Sequence, residues 1–298
     1  MMISVGEFLG HAARAAALAT LAFPLIAATP QFGPPPDRVT FASADGHTAL
    51  VGYVFKPQGA HPARVPAVVM MHGRAGPYSS LAKGKYDATT LSERHRQWGA
   101  LWAQQGYLAV LVDGFGPRGY PQGFPRFSYD QRPDTLNEVT VRPFDAYGAL
   151  TYLRTRPDVV ANRVALQGWS NGGSATLATM AAATPALKSP TPATGFRGAL
   201  AFYPACGLKG QFEDGVVPYA PVRVLMGTAD EEVSPKVCTT LVDKGRAHQG
   251  DITIKLYPDA THDFDDPGTN RQSVPANVAA RRDGMAEAVA FFAGVLKQ

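Results

Sequence analysis

The stretch that decides the fold is RVALQGWSNGGSATLATMAAA, residues 163–183. Its first five residues read as a short buried strand, and Ser174–Ala183 reads as a helix of small residues. Between them Gly168-Trp169-Ser170-Asn171-Gly172-Gly173 sets a serine between glycines at a strand-to-helix joint. That is the nucleophile-elbow arrangement, in which a sharp turn pushes the serine outward and glycines remove side chains that would clash. As a bare string Gly-x-Ser-x-Gly is common, and the bland reading is a glycine-rich turn with an idle serine. The flanking strand and helix make the signal specific. A dinucleotide fingerprint is excluded, because the glycines do not fall as Gly-x-Gly-x-x-Gly and no acidic residue lies about 20 positions on.

Outward from the elbow the same alternation repeats. Short apolar runs stand at Ala67–Met71, Leu108–Val112, Val164–Gln167, Gly198–Tyr203, Val222–Met226 and Ile252–Tyr257. None alternates cleanly, as expected of strands covered on both faces of a parallel sheet. Helices are expected between them: one capped by Ser92 and stopped at Gly106, one starting at Pro143, one capped by Ser234 with Pro235 following, and a last one carrying Met285, Val289, Phe292 and Leu296. Upstream, Val39–Lys56 alternates around Asp45-Gly46 and reads as an antiparallel hairpin. The fold class is α/β, a mostly parallel central sheet with helices on both faces and an N-terminal antiparallel hairpin. Pro-rich loops at Thr184–Thr194 and Asp113–Phe127 read as surface excursions.

A serine hydroxyl is a weak nucleophile at neutral pH and requires a base; in an elbow fold the chain order is serine, acid, histidine. Of seven histidines, His11, His47, His61, His72 and His95 precede Ser170. His248 precedes a strand and so lies at the opposite sheet end. His262 alone follows a strand's carboxyl end after the serine, the bland alternative being a surface histidine. Asp230, directly after the strand Val222–Met226, is the preferred acid over its neighbours Glu231 and Glu232. Its task would be to hold the imidazole tautomer and stabilise the imidazolium. An anionic tetrahedral intermediate needs backbone donors; Asn171 supplies one and the loop after Ala67–Met71 the other, Arg74 being preferred to Gly73. His72 is read as a residue that braces this loop. For the pocket the candidates are Phe115, Arg118, Tyr120 and Trp169. Two readings of the 113–127 loop stay open, a pocket wall seating an aromatic or carboxylate-bearing acyl group, or a packed lid with its arginines in solvent. Asp259, Asp263, Asp265 and Asp266 crowd His262, but their spacing is not that of a metal site; they are read as exposed loop acids, and no metal is expected.

Composition limits the alternatives. The 298 residues are 45% hydrophobic and 17% charged, which excludes collagen, coiled coil and a disordered chain. The formal charge of +4 comes from scattered Lys and Arg, so no basic face for nucleic acid is expected. Residues 15–28, AAALATLAFPLIAA, follow Arg14 and end in small residues, the layout of a signal peptide cut near Ala27 or Ala28, the alternatives being an N-terminal membrane anchor or an amphipathic extra helix. This run is too short to span a bilayer, so no stable membrane insertion is expected. The chain is thus read as a signal, 1–28, and one domain, 29–298, secreted or periplasmic. In such a compartment the two cysteines, Cys206 and Cys238, are expected to bridge, the alternative being two buried thiols.

MHGRAG (71–76), DGFGPRG (113–119), GWSNGG (168–173), GTADEEVSP (227–235) and THDF (261–264) together resemble the dienelactone hydrolase family of α/β-hydrolases, from about Val39 to the C-terminal helix. The resemblance implies an α/β-hydrolase fold and an ester or lactone hydrolase that works through an acyl intermediate without a cofactor. It puts Ser170, Asp230 and His262 at the triad positions and Arg74 and Asn171 at the oxyanion positions. The founding enzymes carry a cysteine in the elbow and a glutamate in the loop after the early strand, where Ser170 and Gly73 stand here. An ordinary serine-esterase mechanism on a small-molecule ester or lactone is therefore the expectation. A peptidase on the same fold and a non-catalytic binding protein are the alternatives, and the oligomeric state is not legible.

Overall fold

The structure, a computed structural model, describes residue 2 and residues 34–296. The expected signal segment, apart from residue 2, lies outside the described residues. The chain divides into two units, Met1–Gln31 and Phe32–Gln298.

At the centre of the second unit is an eight-stranded sheet ordered β1-β2-β4-β3-β5-β6-β7-β8. The strands are β1 (Asp37–Ala42), β2 (Ala49–Phe55), β3 (Val65–Met71), β4 (Leu108–Asp113), β5 (Val159–Trp169), β6 (Ala199–Phe202), β7 (Val222–Gly227) and β8 (Ile252–Tyr257). β1 and β2 form the expected antiparallel hairpin, and β2 also lies antiparallel to β4. From β4 to β8 every pairing is parallel. At the hairpin turn Asp45 Oδ1 accepts from the amides of His47 and Thr48, each at 2.9 Å, which fixes the register.

The helices are α1 (Glu93–Gln104), α2 (Arg142–Thr155), α3 (Asn171–Met180), α4 (Pro235–Ala247), the short α5 (Thr269–Gln272) and α6 (Pro275–Leu296). Ser92 and Ser234 cap α1 and α4 as expected, their hydroxyls accepting from the amides of His95 and Val237. Side chains alternate across a strand, so β3 feeds two separate cores. Ala67, Val69 and Met71 pack with residues of α2, α3 and α4, while Val68 and Met70 pack with the Trp98 and Trp102 side of α1 and with Phe292 of α6. Full burial of each valine or methionine contributes about 1.5 to 3 kcal/mol, which is why both faces of these strands read as unbroken apolar runs.

A disulfide joins Cys206, in the loop after β6, to Cys238 in α4, with Cα atoms 5.0 Å apart. On the chain-entropy account a closed loop of this length contributes about 3 to 4 kcal/mol. Among the described residues no helix is long and apolar enough to cross a membrane.

Candidate active site

The parallel order of β3 to β8 brings their carboxyl ends to one edge, where an open α/β sheet holds its ligands. Ser170 leaves β5 there and caps α3, with φ +52° and ψ −117°. A serine at positive φ is uncommon and costs about 1 to 3 kcal/mol, so the surroundings must enforce it. Two close approaches do so. A Cβ on Gly172 would lie 2.1 Å from the Met71 carbonyl oxygen, and one on Gly168 would lie 2.1 Å from that of Gly172. α3 is thereby pressed against β3 and β5, and the Ser170 amide donates to the Phe202 carbonyl at 2.9 Å.

Two further loops converge on this serine. The loop after β8 turns back at Ala260, whose carbonyl accepts from the Ala229 amide at 3.0 Å, and so presents His262 beside the loop after β7. His262 Nε2 lies 3.0 Å from Ser170 Oγ and His262 Nδ1 lies 2.8 Å from Asp230 Oδ2. With Nδ1 donating to the carboxylate, Nε2 is the unprotonated nitrogen that accepts from the serine hydroxyl. The other Asp230 oxygen accepts from the amides of Glu232 and Val233, both at 2.9 Å, so the carboxylate is fixed by its own loop. The His262 amide donates to Glu231 at 2.9 Å, and the Tyr203 ring covers the imidazole at 4.7 Å. Burial works against an imidazolium here, but the hydrogen bond to Asp230 and the charges of Asp263, Asp230 and Glu232 outweigh it, and the His262 pKa lies above its ordinary value.

The loop after β3 is braced as expected. His72 is fully buried; its Nδ1 donates to the Gly73 carbonyl at 2.7 Å, and burial, reinforced by Arg142, keeps it neutral. Arg74 and Asn171 line one cavity together with Ser170, and the Phe124 amide holds the Arg74 carbonyl at 2.8 Å. As the first residue of α3, Asn171 has an amide without an intrahelical acceptor. Its side chain is locked, the carboxamide oxygen accepting from Arg142 at 2.6 Å and the nitrogen donating to Glu138 at 3.1 Å. Arg142 also donates to the His72 carbonyl at 2.9 Å, so one buried guanidinium spans both loops. Burial lowers that group to about 10, which leaves it charged at neutral pH.

Sequence reasoning missed Arg142 and also the role of Glu232. The Arg74 guanidinium grips Glu232 through two bonds of 2.9 and 3.0 Å, and a Glu232 oxygen lies 3.9 Å from His262 Nε2. Burial opposes the Glu232 charge, and Arg74 and His262 more than offset it, so its pKa is held below the ordinary range. The signal for this side chain was adjacency to Asp230 alone, which does not say which way it points.

Two cavities open on Ser170. One of about 550 Å³ is walled by Phe127, Tyr129, Arg132, Ala205, Lys209 and Val237 among others; one of about 320 Å³ runs past Gly73 to the start of α1. Contrary to expectation, Phe115, Arg118, Tyr120 and Trp169 line neither of them. Phe115 is fully buried against His72 and Phe124. Trp169 is fully buried and donates to Asp265 at 2.8 Å. Arg118 is spent on Asp145 at 2.8 Å and Asp45 at 3.1 Å, tying the loop to α2 and the hairpin turn. Tyr120 stacks on Phe124 at 5.3 Å. The wall is formed instead by residues around Tyr129, whose ring carries Lys209 Nζ at 3.9 Å and the Arg132 guanidinium at 5.2 Å.

Glu232, His262 and Asp263 each offer one donor atom, all within 4.8 Å of one another. They do not fit a cation site. Glu232 is held by Arg74, His262 by Asp230 and Ser170, and Asp263 by Arg94 at 2.8 Å, so guanidinium groups already supply the positive charge.

A mixed, mostly parallel sheet with a serine elbow and a histidine and an aspartate from two later strand ends defines an α/β-hydrolase fold. Within it, the sequence profile of the dienelactone hydrolase family matches residues 50–296, and the chain belongs to that family. Among solved structures it is similar to the dienelactone hydrolase-like promiscuous phosphotriesterase P91 from metagenomic libraries, with 17% identity and a TM-score of 0.62 over 87% of this chain and 97% of that one. Esterase 2 of Thermogutta terrifontis in its apo form shows 17% identity and a TM-score of 0.60 over 88% and 95% of the two chains. The same esterase phosphorylated by paraoxon shows 16% and 0.56 over 83% and 92%. At these identities the likeness is one of fold.

Proposed function

We propose that this protein hydrolyses carboxylic esters or lactones with Ser170 as nucleophile, His262 as general base and acid, and Asp230 as the residue that orients the imidazole and balances its charge. What carries the reading is the continuous hydrogen-bonded run from Ser170 through His262 to Asp230, with the serine held at positive φ. His262 Nε2 takes the hydroxyl proton as Ser170 Oγ bonds to the acyl carbon, and the oxyanion that forms is met by the amides of Asn171 and Arg74. As the intermediate collapses, the ester C–O bond breaks and His262 gives the proton to the departing oxygen. Water then attacks the acyl-enzyme, loses a proton to His262 and releases the acid, and the proton returns to Ser170. The chain's own residues supply each of these steps.

The test compares wild type with Ser170→Ala on short p-nitrophenyl esters and with a fluorophosphonate label. The organophosphorus probe suits a fold whose neighbour is phosphorylated by paraoxon. Turnover should fall about 10⁴-fold or more and labelling should vanish; equal labelling of both proteins would overturn the reading. Peptide amides in the same assay address the peptidase alternative, and binding without turnover addresses the non-catalytic one.

Export belongs to the same proposal. A bridged pair of cysteines suits an oxidising compartment, and residues 1–28 have the signal layout. N-terminal sequencing of protein recovered from outside the cytoplasm should begin near Thr29; a chain that retains residues 1–28 there would count against it.

A further inference from the structure

The two cavities at Ser170 differ in chemistry. Ser170 and Arg74 line both. Asn171 lines only the larger, with the apolar groups of Phe127, Ala205, Val233 and Val237. His262 lines only the smaller, with Ser79, Ser80, Ser92, Glu93, Arg94 and Asp263.

A general acid must stand within hydrogen-bond reach of the oxygen it protonates. The alcohol oxygen therefore leaves on the side that His262 faces, and the acyl chain extends the other way. Resting on the serine-hydrolase reading, we propose that the smaller polar cavity seats the alcohol half of the ester and that this alcohol is polyhydroxylated, a glycerol or single sugar unit. The acyl half lies in the larger cavity along Val233 and Val237.

The lining supports a hydroxyl-rich occupant over two others. Each substrate hydroxyl both donates and accepts, and this cavity offers both kinds of partner. Ser79 Oγ accepts from the Leu81 amide at 3.1 Å and keeps its own hydrogen to give. Arg94 is held by Asp263 and Asp266, each at 2.8 Å, which fixes charged acceptors and donors along one wall. An anionic leaving group would meet Glu93, Asp263 and Asp266. A plain alkyl group would displace water from these groups and return no hydrogen bonds. Once the alcohol has left with the His262 proton, water occupies the same place, gives a proton to His262 and attacks the acyl carbon. If the cavity served water alone, the identity of the alcohol would be immaterial.

The experiment measures kcat/KM for acetate esters of one acyl group and different alcohols, methyl glucoside and glycerol against butanol and hexanol, with p-nitrophenyl acetate as control. Wild type should favour the polyol esters by about tenfold or more. The double variant Ser80→Val with Glu93→Val should erase that preference while hexyl acetate and p-nitrophenyl acetate stay within about threefold of wild type. Val237→Trp should instead shorten the acyl chains accepted and leave the alcohol preference in place. Equal rates for all alcohols, a preference that survives the double variant, or an alcohol preference that moves with Val237→Trp would each overturn the proposal. A wild type that neither turns over p-nitrophenyl acetate nor takes the fluorophosphonate on Ser170 marks failure of the hydrolase reading itself.

Discussion

The side chains of Asp230 and Asp265 are both buried, the second against the expectation of an exposed loop acid, and both belong to loops around His262, yet they face different donors. Asp230 accepts from the imidazole at 2.8 Å and from two amides of its own loop. Asp265 accepts from the indoles of Trp98 at 2.7 Å and Trp169 at 2.8 Å and from the Tyr203 hydroxyl, with Arg94 at 3.6 Å. Burial pushes the Asp265 carboxyl up, although Arg94 and the hydroxyl and indole donors pull the other way. On the proposed mechanism one carboxylate serves a group that changes charge. The other ties α1, the end of β5 beside Ser170 and the His262 loop into one knot. Burial and residue type are the same; the partner decides the role.

The largest effect that separates the two is on turnover. Asp230→Asn should lower kcat about 10⁴-fold, because an amide stabilises the wrong imidazole tautomer, and should leave the unfolding midpoint nearly unchanged. Asp265→Ala should do the reverse. It strands two indole N–H groups, a tyrosine hydroxyl and part of the Arg94 charge, which costs about 3 to 5 kcal/mol in chemical denaturation, while kcat of the folded fraction stays within about tenfold. A stable Asp265→Ala protein, or an Asp230→Asn protein that unfolds, would collapse the distinction.

Smaller effects sharpen it. Since His262 must be neutral to act as base and its pKa is raised, activity should climb with pH through a midpoint above the ordinary imidazole value of about 6.5. Glu232→Gln removes a carboxylate 3.9 Å from Nε2, so that midpoint should move to lower pH. A midpoint that does not move in kcat/KM profiles would mean that Arg74 already cancels the Glu232 charge at the imidazole.

The sheet was legible because buried parallel strands write themselves as apolar runs and because Ser92, Pro143 and Ser234 mark helix starts. β5 nevertheless begins at Val159, earlier than its apolar run: Val159 pairs with Val65, and the stretch 160–163, with the polar Asn162 and Arg163, falls in the register shift before Val164 pairs with Ala67. The positions of Ser170, Asp230 and His262 were legible for a topological reason, as each follows a strand's carboxyl end. The cavity walls were not. Arg118 answers to Asp145 and Asp45, and Lys209 and Arg132 answer to Tyr129, through pairings that no local period or motif announces. The stretch from 113 to 141 has no helical or strand repeat, so nothing in it told Phe115, which turns inward, from Phe127, which stands 75% exposed at the cavity.

The backbone of Ser170 also limits what chemistry this scaffold can carry. At φ +52°, with the strand and helix pressed together beside it, the position accepts an unbranched side chain and penalises a branched one. Threonine would place a methyl group where the chain is already crowded, whereas cysteine has the outline of serine. Between hydroxyl and thiol nucleophiles, such an elbow thereby favours oxygen or sulfur on a single methylene, serine or cysteine, over threonine. A chain built this way can exchange one element for the other by a single codon and leave the surrounding architecture untouched.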